Sequence, residues 1–126
     1  DPAALARLEA IVHPAVLPAI ARRIAASSSE VVVLEAIKLF EGGIAAGCDS
    51  VWVTTCRPAQ QIARLVNERN LSRAEAEQRG RAQPPQEEKV SRADVVIDTA
   101  GALAQTRAQV RAAWRSLMSE RCGDER

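Results

Sequence analysis

Tyrosine is absent from this 126-residue chain, phenylalanine occurs once and tryptophan twice. Aromatic residues make up 2% of it, which leaves no platform on which single-stranded bases would stack. His13 is the sole histidine, so a multi-histidine metal site is excluded. Cys48, Cys56 and Cys122 are odd in number and never in C-x-x-C spacing. That argues against a disulfide framework or a zinc site and fits a reducing cytoplasm. There is no G-x-x-x-x-G-K-[ST] phosphate loop, no G-x-S-x-G and no Cys–His pair at motif spacing. No signal peptide is recognisable, and the uninterrupted apolar runs fall far short of a membrane span.

Lysine is nearly missing too. Of 17 cationic residues, Lys38 and Lys89 are the only lysines. An arginine bias has two readings: bidentate recognition of phosphate or carboxylate, or plain base composition of the coding sequence, which the abundant alanine also suggests. The net charge of +1 gives no global pull toward nucleic acid or anionic lipid. Apolar residues reach 47%, ordinary for a globular protein, and the length suits one small domain or part of a larger one. Because the chain begins at Asp1 and not at methionine, it is expected to be cut from something longer.

Strand and helix patterns alternate. Leu5, Leu8, Ile11 and Val12 recur at helical spacing; His13-Pro14 is expected to interrupt, and Val16, Leu17, Ile20 and Ile24 resume a second helix that Pro18 kinks or delays. Three short β-branched runs, 31–34, 50–54 and 94–98, read as strands buried in a parallel sheet. Pro58 suits the first position of a helix that carries Ile62, Leu65, Val66 and Arg69 on one face and ends at a left-handed Asn70. Ser72 and Glu75 form a capping box for the next helix, which Pro84-Pro85 stops. Leu103, Thr106, Val110, Trp114 and Leu117 mark a final amphipathic helix. The expected class is α/β with a parallel sheet and a helical hairpin.

Chemistry-bearing residues gather around these elements. Glu35 ends an apolar strand pattern, where phosphoryl-transfer enzymes place a carboxylate for magnesium. Lys38 lies just beyond, at the strand end where α/β sheets bind ligands, though a solvated loop lysine fits equally. Between Arg57 and Arg92 seven arginines and one lysine face five glutamates. Arg79 and Gln83, four apart, would point a guanidinium and an amide at one phosphate. The competing reading is an exposed helix laced by internal pairs, for which Glu75 and Arg79 have the spacing.

In order along the chain, "LEAIVHPAV" (8–16), "VVVLEAIKLFE" (31–41), "QQIARLVNERNLSRAEAEQRGRAQPPQEEK" (60–89) and "ADVVIDTAG" (93–101) resemble the motifs of the dephospho-CoA kinase family. Each is weak alone; together and in order they are specific. The resemblance implies a partial P-loop kinase fold that uses ATP and Mg2+ to phosphorylate the ribose 3′-hydroxyl of dephospho-CoA. It implies a helical substrate-binding part at 1–29 that includes His13 and, beyond it, Lys38. It also implies an α/β core at 30–57 and 90–126, and a helical lid at 58–89. Arg64, Arg69 and Arg79, with Gln83, would close over the phosphates. Asp98, Thr99 and Gly101 would form the loop against adenine, and Glu35 would meet the metal.

The chain departs from the family pattern in several places. The family's phosphate loop and its acidic candidate base belong upstream of Asp1. Ile37 and Lys38 replace the usual Pro-Leu pair, and Thr99 replaces an asparagine. The chain alone is therefore expected to be inactive. The alternative is a non-catalytic remnant that binds a nucleotide or a protein partner; arginine-mediated RNA binding ranks below both. In the family's fold a first strand lies between 31–34 and 51–53. Without it those edges would stand open, and the chain would need the absent segment, re-pairing or self-association.

Overall fold

A computed structural model describes the backbone of residues 1–124 and the side chains of these except Pro2 and 122–124, so the Cys122 side chain lies outside the description. The chain divides into two compact units, Asp1–Cys48 and Asp49–Arg126. Residues 30–48, assigned from sequence to the α/β core, cluster with the N-terminal helix.

The first unit is built on α1, Pro2–Ala25, whose N-terminus is capped by the Asp1 carboxylate accepting from the amides of Ala3 (2.9 Å) and Ala4 (3.4 Å). The expected break at His13-Pro14 does not occur: one 24-residue helix runs through Pro14 and Pro18. The reason is positional. The two prolines are four apart, so the carbonyls they leave without amide partners, those of Ala10 and Pro14, fall on one exposed stripe where water can serve them. Continuity also changes the membrane comparison, because Ala3–Ala25 has the length and composition of a candidate span, with mean hydropathy 1.4. Arg7, Glu9, Arg22 and Arg23 interrupt that surface. Leu5, Leu8 and Ile11 are 53%, 56% and 73% exposed, so the helix carries apolar surface of the kind that other chain segments cover.

Residues 31–34 form no strand, and the expected strand end at Glu35 is accordingly absent. A β-branched run has strand propensity, but a strand exists only through a ladder. No described residue pairs with 31–34. The segment stays irregular, with Val33 84% exposed. After it, the chain turns through Gly43, whose φ of 70° suits glycine, into a short 3₁₀ turn at Ile44–Gly47.

The second unit holds the sheet. β1 (Trp52–Thr55) and β2 (Val95–Asp98) pair in parallel, with Val53 opposite Val96 and Thr55 opposite Asp98. Asp94 fixes the start of the ladder: its carboxylate accepts from the Val51 amide at 2.7 Å while its own amide donates to the Val51 carbonyl at 2.9 Å. Val51, Val53, Ala76 and Ile97 are buried. Val53 and Ile97 sit at alternating register positions and so lie on opposite faces, which is the coverage a parallel pair needs.

Between the strands come α2 (Pro58–Arg69), α3 (Arg73–Arg81) and α4 (Gln86–Val90). α2 starts with Pro58 and ends at Asn70 with φ 51°, ψ 34°, as the sequence predicts. α3 opens on the predicted capping box: the Glu75 amide donates to Ser72 Oγ (3.3 Å), and the Ser72 amide donates to Glu75 Oε2 (2.9 Å). α2 and α3 pack as a hairpin through the fully buried Ala76, and α4 packs on β1. α5 (Leu103–Asp124) packs on β2.

Candidate functional site

The C-terminal ends of β1 and β2 form the floor of the site. The Thr99 amide and hydroxyl both donate to the Thr55 carbonyl at 2.8 Å. The Asp98 carboxylate accepts from the Ala100 amide at 2.7 Å, which bends the chain out of the strand. The Gln109 side-chain amide accepts from the Asp98 amide (2.9 Å) and donates to the Asp98 carbonyl (2.8 Å), as a neighbouring strand would. A shallow depression of about 460 Å³ lies here, lined by Asp98, Gly101, Gln105 and Gln109. Crevices at strand C-termini are where α/β sheets take ligands.

The first helix of the hairpin, α2, and the short helix that follows the hairpin, α4, are tied to this floor. On the outgoing leg, Gln60 Oε1 accepts from the Arg57 amide at 3.2 Å while its Nε2 donates to the Ala100 carbonyl at 2.9 Å. One turn on, the Arg64 guanidinium donates to Thr99 Oγ1 at 2.9 Å and to the Thr99 carbonyl at 2.5 Å. From α4, Gln86 Nε2 donates to the Thr54 carbonyl at 3.0 Å. Lys89 Nζ donates to Gln83 Oε1 at 3.1 Å. The expected Arg79–Gln83 helical pair is not formed, because α3 ends at Arg81 and Gln83 lies past the cap.

The arginines of the hairpin differ in their partners. Arg73 and Arg81 both reach the Glu77 carboxylate, at 2.9 and 3.4 Å. Glu75, whose spacing offered Arg79 a partner, is engaged by Ser72 instead: the Ser72 hydroxyl and then its backbone hold the Glu75 carboxyl below the usual range, and the Arg79 charge adds less. Arg69 and Arg79 make no hydrogen bond or ion pair among the described residues. They are exposed cations on a hairpin whose root is fixed.

In the first unit, His13 and Lys38 come together around a pocket of about 160 Å³ whose apolar wall includes Val16, Leu17 and Ile44. Lys38 forms an ion pair with Glu9, one turn before His13 on α1. That hydrogen bond is the largest cause of the lowered Glu9 pKa. Glu35 lies exposed on the irregular segment. Among the described residues no group of three His, Cys, Asp or Glu side chains gathers to hold a cation. Glu35 alone does not make the magnesium site that the resemblance implies.

Sequence reasoning missed Gln109 and Asp94 as organisers of the strand ends, and Gln86 as a tie to β1. A glutamine on an exposed helix face has no local pattern to mark it; Asp94, just before a β-branched run, was the readable one of the three. Arg64 is visible as the arginine of the Q-x-x-R that begins at Gln61 in the longest motif, but its partner is not, and neither is the tie that Gln60 makes.

A short parallel sheet, a ligand crevice at its C-terminal edge and an arginine-bearing hairpin rooted there define part of a P-loop kinase fold. A crystal structure of TT1252 from Thermus thermophilus matches it with TM-score 0.77 and 31% identity, over 93% of this chain and 61% of that one. The family model for dephospho-CoA kinase matches residues 1–105, and the chain belongs to that family. It is 44% identical to a dephospho-CoA kinase of Symbiobacterium thermophilum, over 99% of this chain and 52% of that protein. A dephospho-CoA kinase of Moorella thermoacetica is 39% identical, over 98% of this chain and 60% of that protein. The chain thus spans a little over half the length of these relatives.

Proposed function

We propose that this chain is the lid-bearing part of an ATP-dependent kinase that phosphorylates the ribose 3′-hydroxyl of dephospho-CoA in the cytoplasm. The observation that carries the reading is the hairpin: two exposed arginines without carboxylate partners, on a pair of helices whose first member is tied to the strand ends, inside a chain of this family. In the transfer, the 3′-hydroxyl oxygen bonds to the γ-phosphorus as the bridge to the β-phosphate breaks and ADP leaves, and the hydroxyl proton would pass to the acidic base that the resemblance places upstream. Charge is spread over the equatorial oxygens of the moving group, and catalysis is mostly positioning and electrostatics. Arg79 and Arg69 would supply fixed positive charge to those oxygens when the hairpin closes, in a site from which water is excluded.

Gln83 would stand beside them, held by Lys89. Asp98, Thr99 and Gly101 would border adenine in the shallow depression at the strand ends. His13 and Lys38 would meet the dephospho-CoA substrate at their own pocket, with its apolar wall. Magnesium would accompany the nucleotide, with Glu35 as its one candidate ligand here. The outer edges of β1 and β2 carry no ladder partner among the described residues, and a further segment of the protein or a second copy would pair there.

The test is an assay with ATP, magnesium and dephospho-CoA, read as coenzyme A by mass. The complete protein, with the glycine-rich loop that the resemblance places upstream, should turn over. The 126-residue chain alone should not, because its sequence contains no G-x-x-x-x-G-K-[ST] loop to cradle the β- and γ-phosphates. Absence of turnover by the complete protein would leave the rival reading, a remnant that binds nucleotide without transferring phosphate.

A further inference from the structure

Arg64 carries one of the charges that the family resemblance assigns to the phosphates, yet its guanidinium is already engaged. Two of its nitrogens donate to a single residue, at 2.9 Å to Thr99 Oγ1 and 2.5 Å to the Thr99 carbonyl. A planar fork held at two points has its orientation fixed as well as its position. The Thr99 hydroxyl has one proton to give, and it goes to the Thr55 carbonyl at 2.8 Å. Its lone pairs then face the arginine. One side chain thereby joins the loop after β2, the last residue of β1 and the second turn of α2. Gln60, on the preceding turn, makes a parallel bond to the Ala100 carbonyl at 2.9 Å.

We infer that Thr99 is a positioning residue: acting through Arg64, its hydroxyl sets the root of the hairpin against the strand ends. Arg64 is then an anchor and not a phosphate ligand. The hinge of the hairpin lies beyond Arg64, so that the motion belongs to the distal part of α2 and to α3, which carry Arg69 and Arg79. The coupling stands on geometry alone; its use in phosphoryl transfer rests on the kinase reading.

Amide hydrogen exchange on the complete protein tests the coupling, with Thr99→Val and Thr99→Ser. Thr99→Val keeps the β-branched shape and removes both hydroxyl bonds. It should speed exchange at residues 62–66 by roughly tenfold, while the amides of Val53 and Ile97 stay within about twofold. Thr99→Ser, which keeps the hydroxyl, should hold all of them within about twofold. Arg64→Lys, which breaks the fork from the other side, should reproduce the Thr99→Val pattern if the valine variant does not fold. The inference is overturned if α2 exchange is unmoved in both Thr99→Val and Arg64→Lys, if Thr99→Ser is as fast as Thr99→Val, or if the sheet amides speed up equally. In the complete protein, Thr99→Val should lower kcat about tenfold, and Thr99→Ser should restore it. An unchanged kcat would remove the role in transfer. A wild-type protein without turnover would overturn the kinase reading and leave the exchange result standing.

Discussion

Arg64, near the root of the hairpin, gives two guanidinium nitrogens to Thr99, whereas Arg79 on α3 meets no acceptor among the described residues. Arg73 and Arg81, on the same helix as Arg79, share the Glu77 carboxylate. Identical side chains are therefore fixed, neutralised or free within one short segment. The count of charges gives a local excess of cation, but partner geometry decides which cation is available to a ligand. The capping box sharpens the point. Ser72 takes the Glu75 carboxylate that would otherwise lie four residues from Arg79, so a device that starts a helix also leaves an arginine unpaired.

The widest separation is expected from comparing Arg79→Ala with Arg73→Ala in the complete protein. Loss of an unpaired transition-state cation should slow transfer on the order of a hundredfold. Loss of an exposed arginine already paired on its own helix should change it by less than about threefold. Steady-state rates with dephospho-CoA and ATP decide it, and equal small effects would return Arg79 to the status of a solvated surface residue. Next in size, Ser72→Ala removes the N-cap of α3 and should destabilise the hairpin by about 1 kcal/mol, seen as faster amide exchange in α3.

The same cap should respond to acid. The folded pKa of Glu75 is depressed, so the stability it contributes is fully present above its ordinary value of about 4.3 and is lost progressively as pH falls below that through the folded value. Helicity at 73–81 should drop on acidification before that of α5, followed by backbone chemical shifts. The smallest expected effect is Gly80→Ala. A Cβ there would meet Ile62 Cδ1 at 3.8 Å, an ordinary contact, so the helix should gain about 0.5–1 kcal/mol with no packing penalty. A loss of stability in thermal melts would mean that α2 and α3 pack more tightly than described.

Local signals proved readable where the chemistry is local. Pro58, the left-handed Asn70 and the Ser72–Glu75 box each act within a few residues, and all stand where the pattern puts them. The runs at 50–54 and 94–98 became β1 and β2 because each supplies the other's ladder. The run at 31–34 has the same composition and no described partner, and it stays irregular; composition cannot state whether a neighbour exists. The residue before a proline avoids helical geometry, so the sequence predicts a break at His13-Pro14; only the joint placement with Pro18 on an exposed stripe shows why α1 continues. The site was legible as a list of residues through the family motifs, but not as a set of contacts. Arg64 and Thr99 lie 35 positions apart in sequence, and no periodicity links them.

The central claim is that the partner each arginine holds decides whether it meets phosphate. Side-chain Nη–H resonances of Arg64, Arg69 and Arg79 in the complete protein, recorded with and without ATP and magnesium, address it directly. The account predicts that the Arg69 and Arg79 signals shift and slow their exchange on adding nucleotide, while Arg64 is protected from the start and stays within its free-state line. Movement of Arg64 comparable to that of Arg79, or no response from Arg69 and Arg79 at saturating ATP, would contradict it.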